Sequence, residues 1–152
     1  MAVKPIPDGY NTVTPYLMVP DAAKFVDFMS TVFGAKTVEK MVRPDGRLGH
    51  TEIRIGDSMI MLSDASDQHA ATPVMLHVYV DDVDATFDRA IRAGATAVSK
   101  PAVQFYGDRS GGVKEPCGNT IWIATHVEDV APDELQRRAA KAMSAPAPSS
   151  TT

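Results

Sequence analysis

The sequence predicts an α+β chain of two tandem β-α-β-β-β modules. Three observations carry this. Tyr16-Leu-Met-Val-Pro-Asp21, a helical stretch to Gly34-Ala35 and Gly56-Asp-Ser-Met-Ile-Met-Leu-Ser63 lie over His77-Val-Tyr-Val-Asp-Asp82, a helical stretch to Gly94-Ala95 and Gly118-Asn-Thr-Ile-Trp-Ile-Ala-Thr125, at an offset that stays between 60 and 62 residues. Each copy opens with mostly apolar residues of strand character and then changes to an apolar spacing of three to four residues. Each closes on further strand-like runs. The division predicted is a lead-in over 1–11, a first module over 12–66, a second over 72–130 and a C-terminal segment over 131–152.

The elements follow in order. Asp21 and Asp82 stand where each first strand gives way to a helix, and a short carboxylate there accepts from the amide N–H groups that the first turn leaves unpaired. Phe25, Phe28, Val32 and Phe33, and in the second copy Val83, Phe87, Ala90 and Ile91, give each helix one apolar stripe. Gly34 and Gly94 stop the helices, because glycine takes the left-handed conformation without a side-chain clash. Between Gly49 and Leu62, Gly56-Asp57 reads as a two-residue hairpin turn. Ile55 then pairs with Ser58, which sets Arg54 opposite Met59, Glu52 opposite Met61 and His50 opposite Ser63 on one face. A short helix is expected from Pro132, with Asp133 and Glu134 early and Arg137, Arg138 and Lys141 late, the charge order that suits the helix dipole. The polar, proline-rich run from Ser144 to Thr152 is expected to be disordered.

Composition narrows the partners. The 152 residues are 44% hydrophobic and 22% charged, with a net charge of −4, as in an ordinary globular domain. Acidic residues outnumber basic ones 19 to 15 and no basic run exceeds Arg137-Arg138, so neither nucleic acid nor an anionic membrane is an expected partner. No apolar run reaches a membrane span, and Lys4, Pro5, Pro7 and Asp8 stand where a signal peptide needs apolar residues. A single cysteine, Cys117, fits a reducing compartment. A cytoplasmic protein is expected.

The stretch Tyr106-Gly-Asp-Arg-Ser-Gly-Gly-Val-Lys-Glu-Pro-Cys-Gly-Asn-Thr-Ile-Trp-Ile-Ala-Thr-His126 resembles the Tyr-Gly-Asp-Arg, Asp-Pro-Phe-Gly and Ala-Thr-His signature of the PhnB-like branch of the vicinal oxygen chelate superfamily, the glyoxalase and bleomycin-resistance proteins. Glu115 and Cys117 replace the branch's Asp and Phe. Thr14-Pro-Tyr-Leu-Met-Val-Pro-Asp21, Phe33-Gly-Ala35, Ile53-Arg-Ile-Gly-Asp57 and Val80-Asp-Asp-Val-Asp-Ala85 support the match, which runs over Val13 to Val130. The resemblance implies curved mixed sheets enclosing a central cavity, in a homodimer with the cavity near the subunit contact. It also implies that metal-using relatives would place their ligands at Thr14, Met61, Met75 and Trp122. Thioethers, an indole and a hydroxyl are poor donors for Zn²⁺, Ni²⁺, Mn²⁺ or Fe²⁺, so the usual site is expected to be absent and no cofactor is expected. His50, Glu52 and His77 leave room for a divalent metal at a relocated site; the alternative is that they hydrogen-bond one another or line a polar wall.

Strand parity in this geometry turns Tyr16, Met18, His50, Glu52, Met59, Met61, His77, Tyr79, Trp122 and His126 towards the cavity. Thioether and ring surfaces adapt to apolar ligands, so Tyr16, Met59, Met61, Tyr79, Tyr106 and Trp122 are candidate ligand-binding residues, with core packing as the competing role of the methionines. Arg109 is a candidate anion or dimer anchor, or else the ion-pair partner of Asp108 or Asp82. His126 beside Glu128 and Asp129 reads as a solvated strand end, and Cys117 as structural. The expected function is metal-independent binding of a small aromatic or hydrophobic molecule. The alternatives are a lyase or isomerase of the glyoxalase kind, using His50, Glu52, His77, Tyr16 and Arg109 as acid, base and electrostatic groups, and an accessory protein whose dimer surface matters more than its cavity.

Overall fold

A computed structural model describes residues 2–145. The first module runs β1 (Tyr16–Val19), α1 (Ala22–Phe33), β2 (Lys36–Val42), β3 (Leu48–Ile55) and β4 (Ser58–Asp64). The second runs β5 (Met75–Tyr79), α2 (Val83–Arg92), β6 (Thr96–Val103), β7 (Asp108–Lys114) and β8 (Thr120–His126), and α3 (Pro132–Ser144) follows. The sheets have strand orders β1-β4-β3-β2 and β5-β8-β7-β6. Only the first strand of each pairs in parallel, with the last, so both sheets are mixed.

The local signals act as their chemistry requires. Asp21 accepts from the Lys24 amide at 3.1 Å and Asp82 from the Ala85 amide at 3.0 Å. At the other ends Gly34 and Gly94 take φ of 68° and 103°, and the amides of Ala35 and Ala95 reach back to the carbonyls of Met29 and Ala90. The β3-β4 hairpin has Ile55 opposite Ser58, Arg54 opposite Met59 and Glu52 opposite Met61. Gly56 alone has positive φ in the turn, the pattern of a type II′ turn. The repeat extends to buried polar partners, for Asp64 at the end of β4 accepts the Ala22 amide at 2.8 Å and Thr125 in β8 accepts the Val83 amide at 3.0 Å.

The stripes of α1 and α2 bury Phe25, Phe28, Val32, Val83, Phe87 and Ala90 in one core shared with Leu17, Val19, Ile53, Leu62, Val113, Ile121 and Ile123. Ile91 departs from the expected stripe and is 38% exposed, one residue before α2 ends. The modules meet through their helices, where Arg89 of α2 donates from Nε and Nη2 to the Val32 carbonyl at 3.0 and 2.8 Å. Each sheet therefore spends its odd-numbered β1, β3 and β8 positions on the helices and turns its other face away from them. The two sheets do not close around one cavity within the chain. In α3, Arg138 binds Glu134 and Glu128 and reaches the Phe105 carbonyl at 3.3 Å, which ties a helix with no buried residue to the second module. Most of the tail expected to be disordered lies outside the described residues.

Candidate functional site

The first sheet's free face carries a chain of polar contacts. The Glu52 side chain, 8% exposed, accepts from His50 Nε2 at 3.0 Å through one carboxylate oxygen and from the Tyr10 hydroxyl through the other. The far nitrogen of the ring, His50 Nδ1, lies 2.9 Å from the Tyr16 hydroxyl. Met61 lies opposite both Tyr16 and Glu52, so a thioether forms the floor between them. Met18 beside it receives the Ser63 hydroxyl on sulfur at 3.2 Å.

The second sheet's free face is aromatic. Its pocket of about 380 Å³ is lined by His77, Ser99, Gln104, Tyr106, Ser110 and Trp122. Trp122 pairs with Gly112 of β7 and lies over it: a Cβ at Gly112 would stand 3.2 Å from three atoms spread across the indole. The ring thus lies flat on the backbone where only glycine leaves room, and its other π face is turned from the sheet. Beside it the Tyr79 hydroxyl donates to Asp108 at 2.8 Å, while His126 bridges Asp108 and Asp129 at 2.7 Å each. Burial pushes the Asp108 carboxyl up, but the hydrogen bonds from His126 and Tyr79 outweigh it and hold it below the ordinary carboxylate range. The same carboxylate raises Tyr79, chiefly through the hydrogen bond.

A third space, about 650 Å³, separates the modules and brings Thr14, Ile55 and Met59 together with Leu76, His77 and Tyr79. Met59 is 4% exposed and fills its wall, so it packs as much as it lines.

Sequence expectation and geometry part company at three places. His77 lies on the second sheet, edge-on to Tyr79 with ring centroids 5.0 Å apart, and does not join His50 and Glu52 within one chain. Arg109 pairs with neither Asp108 nor Asp82 but with Asp84 in the first turn of α2, at 2.8 Å from both Nε and Nη2. Neighbouring strand residues point to opposite faces, so Asp108 takes the free face and Arg109 the helix side. His126, read as a solvated end, is held on both ring nitrogens. Arg54, Tyr10 and Gly112 were not among the expected site residues. Parity with Glu52 marks Arg54, whereas Tyr10 meets Glu52 across 42 residues and has no local signal.

Two stacked β-α-β-β-β modules with such faces have known counterparts. Residues 9–123 match the family described as the Glyoxalase/Bleomycin resistance protein/Dioxygenase superfamily. The chain belongs to this superfamily. It is 38% identical over 135 residues to uncharacterized proteins of Mycobacterium bovis, covering 82% of this chain and 89% of that one, and of Mycobacterium tuberculosis, covering 79% of that one. Among solved structures it is similar to TioX from Micromonospora sp. ML1, with a TM-score of 0.65 and 24% identity over 77% of this chain and 99% of that one. It is also similar to a glyoxalase/bleomycin resistance protein/dioxygenase from Nocardioides, with a TM-score of 0.59 and 20% identity over 87% and 90%. At these identities the solved structures establish the fold.

The side chains at the positions that the resemblance assigns to a metal are poor donors or are engaged elsewhere. The Thr14 hydroxyl is spent on the Asn11 carbonyl at 3.2 Å, Met75 is 68% exposed, and Trp122 lies against Gly112. His50 has both ring nitrogens engaged by Tyr16 and Glu52. Among the described residues, no group of three or more His, Cys, Asp and Glu side chains is placed to hold a metal ion. No helix is long and apolar enough to cross a membrane.

Proposed function

We propose that this superfamily member, of the PhnB-like branch, is a cytoplasmic, metal-independent binder of small, flat aromatic or hydrophobic molecules. The observation that carries the reading is the Trp122 indole lying flat over Gly112 beside Tyr106, His77, Ser110 and Gln104. A ring so placed offers a stacking surface, and the surrounding hydroxyls and amide orient what stacks. Tyr16, Met61 and Tyr79 extend the surface over the remaining free faces. These faces leave Tyr16 47%, Met75 68%, Tyr79 63% and Tyr106 40% exposed, which supports a homodimer in which the free faces of two copies share the ligand.

The test is Trp122 fluorescence, the chain's single tryptophan, titrated with a panel of bicyclic aromatic heterocycles. Quenching that saturates at micromolar concentration is expected, and Gly112→Val, which lifts the indole, should weaken it about tenfold or more, at least 1.4 kcal/mol. Absence of any response across the panel would remove the reading. A second reading, an enzyme of the lyase or isomerase class, is favoured by the contacts among Tyr16, His50 and Glu52.

A further inference from the structure

We infer that residues 2–10 are a strap laid on the first sheet's free face, and that the place Tyr10 takes there is a binding subsite for a small phenol, which enters by displacing the strap. This goes beyond the binding reading, for it needs neither the Trp122 surface nor the second sheet. Glu52 is 6% exposed, and its two carboxylate oxygens accept from His50 Nε2 and from the Tyr10 hydroxyl. A buried charge is costly unless its oxygens find donors. His50 supplies one from two residues away on the same strand. The other comes across 42 residues, from a segment with no helix or strand of its own. Between residues 2 and 13 every residue is exposed save Tyr10, with Val3 at 94% and Ile6 at 41%. One side chain therefore holds the lead-in to the sheet, and what it brings is a phenol group.

Such a donor is replaceable, because a segment with so little packing opens at small cost. What replaces it is set by Glu52. A carboxylate only accepts, so the incoming group must donate, and an ether or ketone in its place would leave the buried oxygen unpaired. A hydroxyl on an aromatic ring repeats the shape and the donor of the Tyr10 side chain. The register sets Met61 opposite Glu52 and Met59 opposite Arg54, two thioethers that adapt to a ring.

Gly9 is the latch of the strap. Its φ of 85° lies in the left-handed region, and a Cβ there would overlap the Arg54 guanidinium. Next to it the Tyr10 amide closes a turn on the Pro7 carbonyl at 3.2 Å. The seated strap thus requires glycine at this position, and a side chain there lifts it without altering Glu52, His50 or Met61. While the strap is seated the subsite is closed, so the apparent affinity for a phenol falls by the fraction of chains that are open.

Calorimetric titration of the full-length protein with 2-naphthol, and with 2-methoxynaphthalene, which has the same rings but no donor, tests this. Gly9→Ala and Tyr10→Phe, both in the exposed lead-in where the fold tolerates them, should each bind 2-naphthol about tenfold more tightly than wild type, with no gain for 2-methoxynaphthalene. Adding Glu52→Gln to Gly9→Ala should abolish the gain. Chymotrypsin, which cuts after Tyr10, should release a chain beginning at Asn11 about tenfold faster from Gly9→Ala than from wild type, a readout of the strap that needs no ligand. Equal affinities for 2-naphthol in wild type, Gly9→Ala and Tyr10→Phe overturn the inference, as does an equal gain for 2-methoxynaphthalene or an unchanged rate of cutting. The Trp122 quenching of Gly9→Ala should match that of wild type, so the binding reading on the second sheet and the strap on the first fail separately.

Discussion

His126 reaches out of β8 to a carboxylate on either side, and both contacts favour its charged form. The hydrogen bond to Asp108, then that to Asp129, raises its pKa above the ordinary histidine value. A group whose folded pKa is raised contributes stability that is fully present below its unfolded value, about 6.5, and is lost as pH rises through the folded value. The melting temperature of wild type should therefore exceed that of His126→Gln most below the unfolded value of about 6.5, with the gap closing as pH rises through the raised folded value; a gap constant with pH would refute the charged pairing. Cys117 shows the opposite tuning. Burial, then the charges of Glu115 and Asp21, push its thiol up to about 11. It should react with a disulfide reagent at about pH 8 at least about tenfold slower than free cysteine, read by thiol absorbance.

At the scale of elements, the two modules use one plan with different polar parts. Asp64 holds the start of α1 at Ala22 and also accepts the Leu48 amide at 2.6 Å, whereas Thr125 in the second module accepts from Val83 and donates to the Val80 carbonyl at 2.8 Å. Removing a buried acceptor of two amides is costly, so Asp64→Ala should lose about 2–4 kcal/mol in urea denaturation, against about 1 kcal/mol for the exposed cap Asp21→Ala. Equal losses would mean that Asp64 is not the shared anchor. The caps, the Gly34 and Gly94 stops and the β3-β4 register were legible because each depends on neighbours within a few residues. The ion-pair partner of Arg109 was not legible because Asp84 lies 25 residues away in sequence, and only the side of the strand on which α2 packs selects it over Asp82 and the adjacent Asp108.

For the whole molecule, the arrangement of the modules is the deciding feature. Their helices meet, and both free faces stay open, with Tyr79 and Met75 among the exposed apolar residues. Sedimentation should give twice the 16.3 kDa of one chain, and Tyr79→Glu, which sets a charge in that face, should shift it to one. A monomer at tens of micromolar would leave each face to act alone. The sequence by itself determined the repeat, the α+β class and the face on which Tyr16, His50, Glu52 and Trp122 lie, because strand and helix periods are local and repeated twice. Tertiary structure decided which of those residues meet. Tyr10 reaching Glu52 across 42 residues, the indole settling on Gly112, and His77 parted from His50 all depend on how strands are ordered and how the modules pack, and no local pattern encodes that.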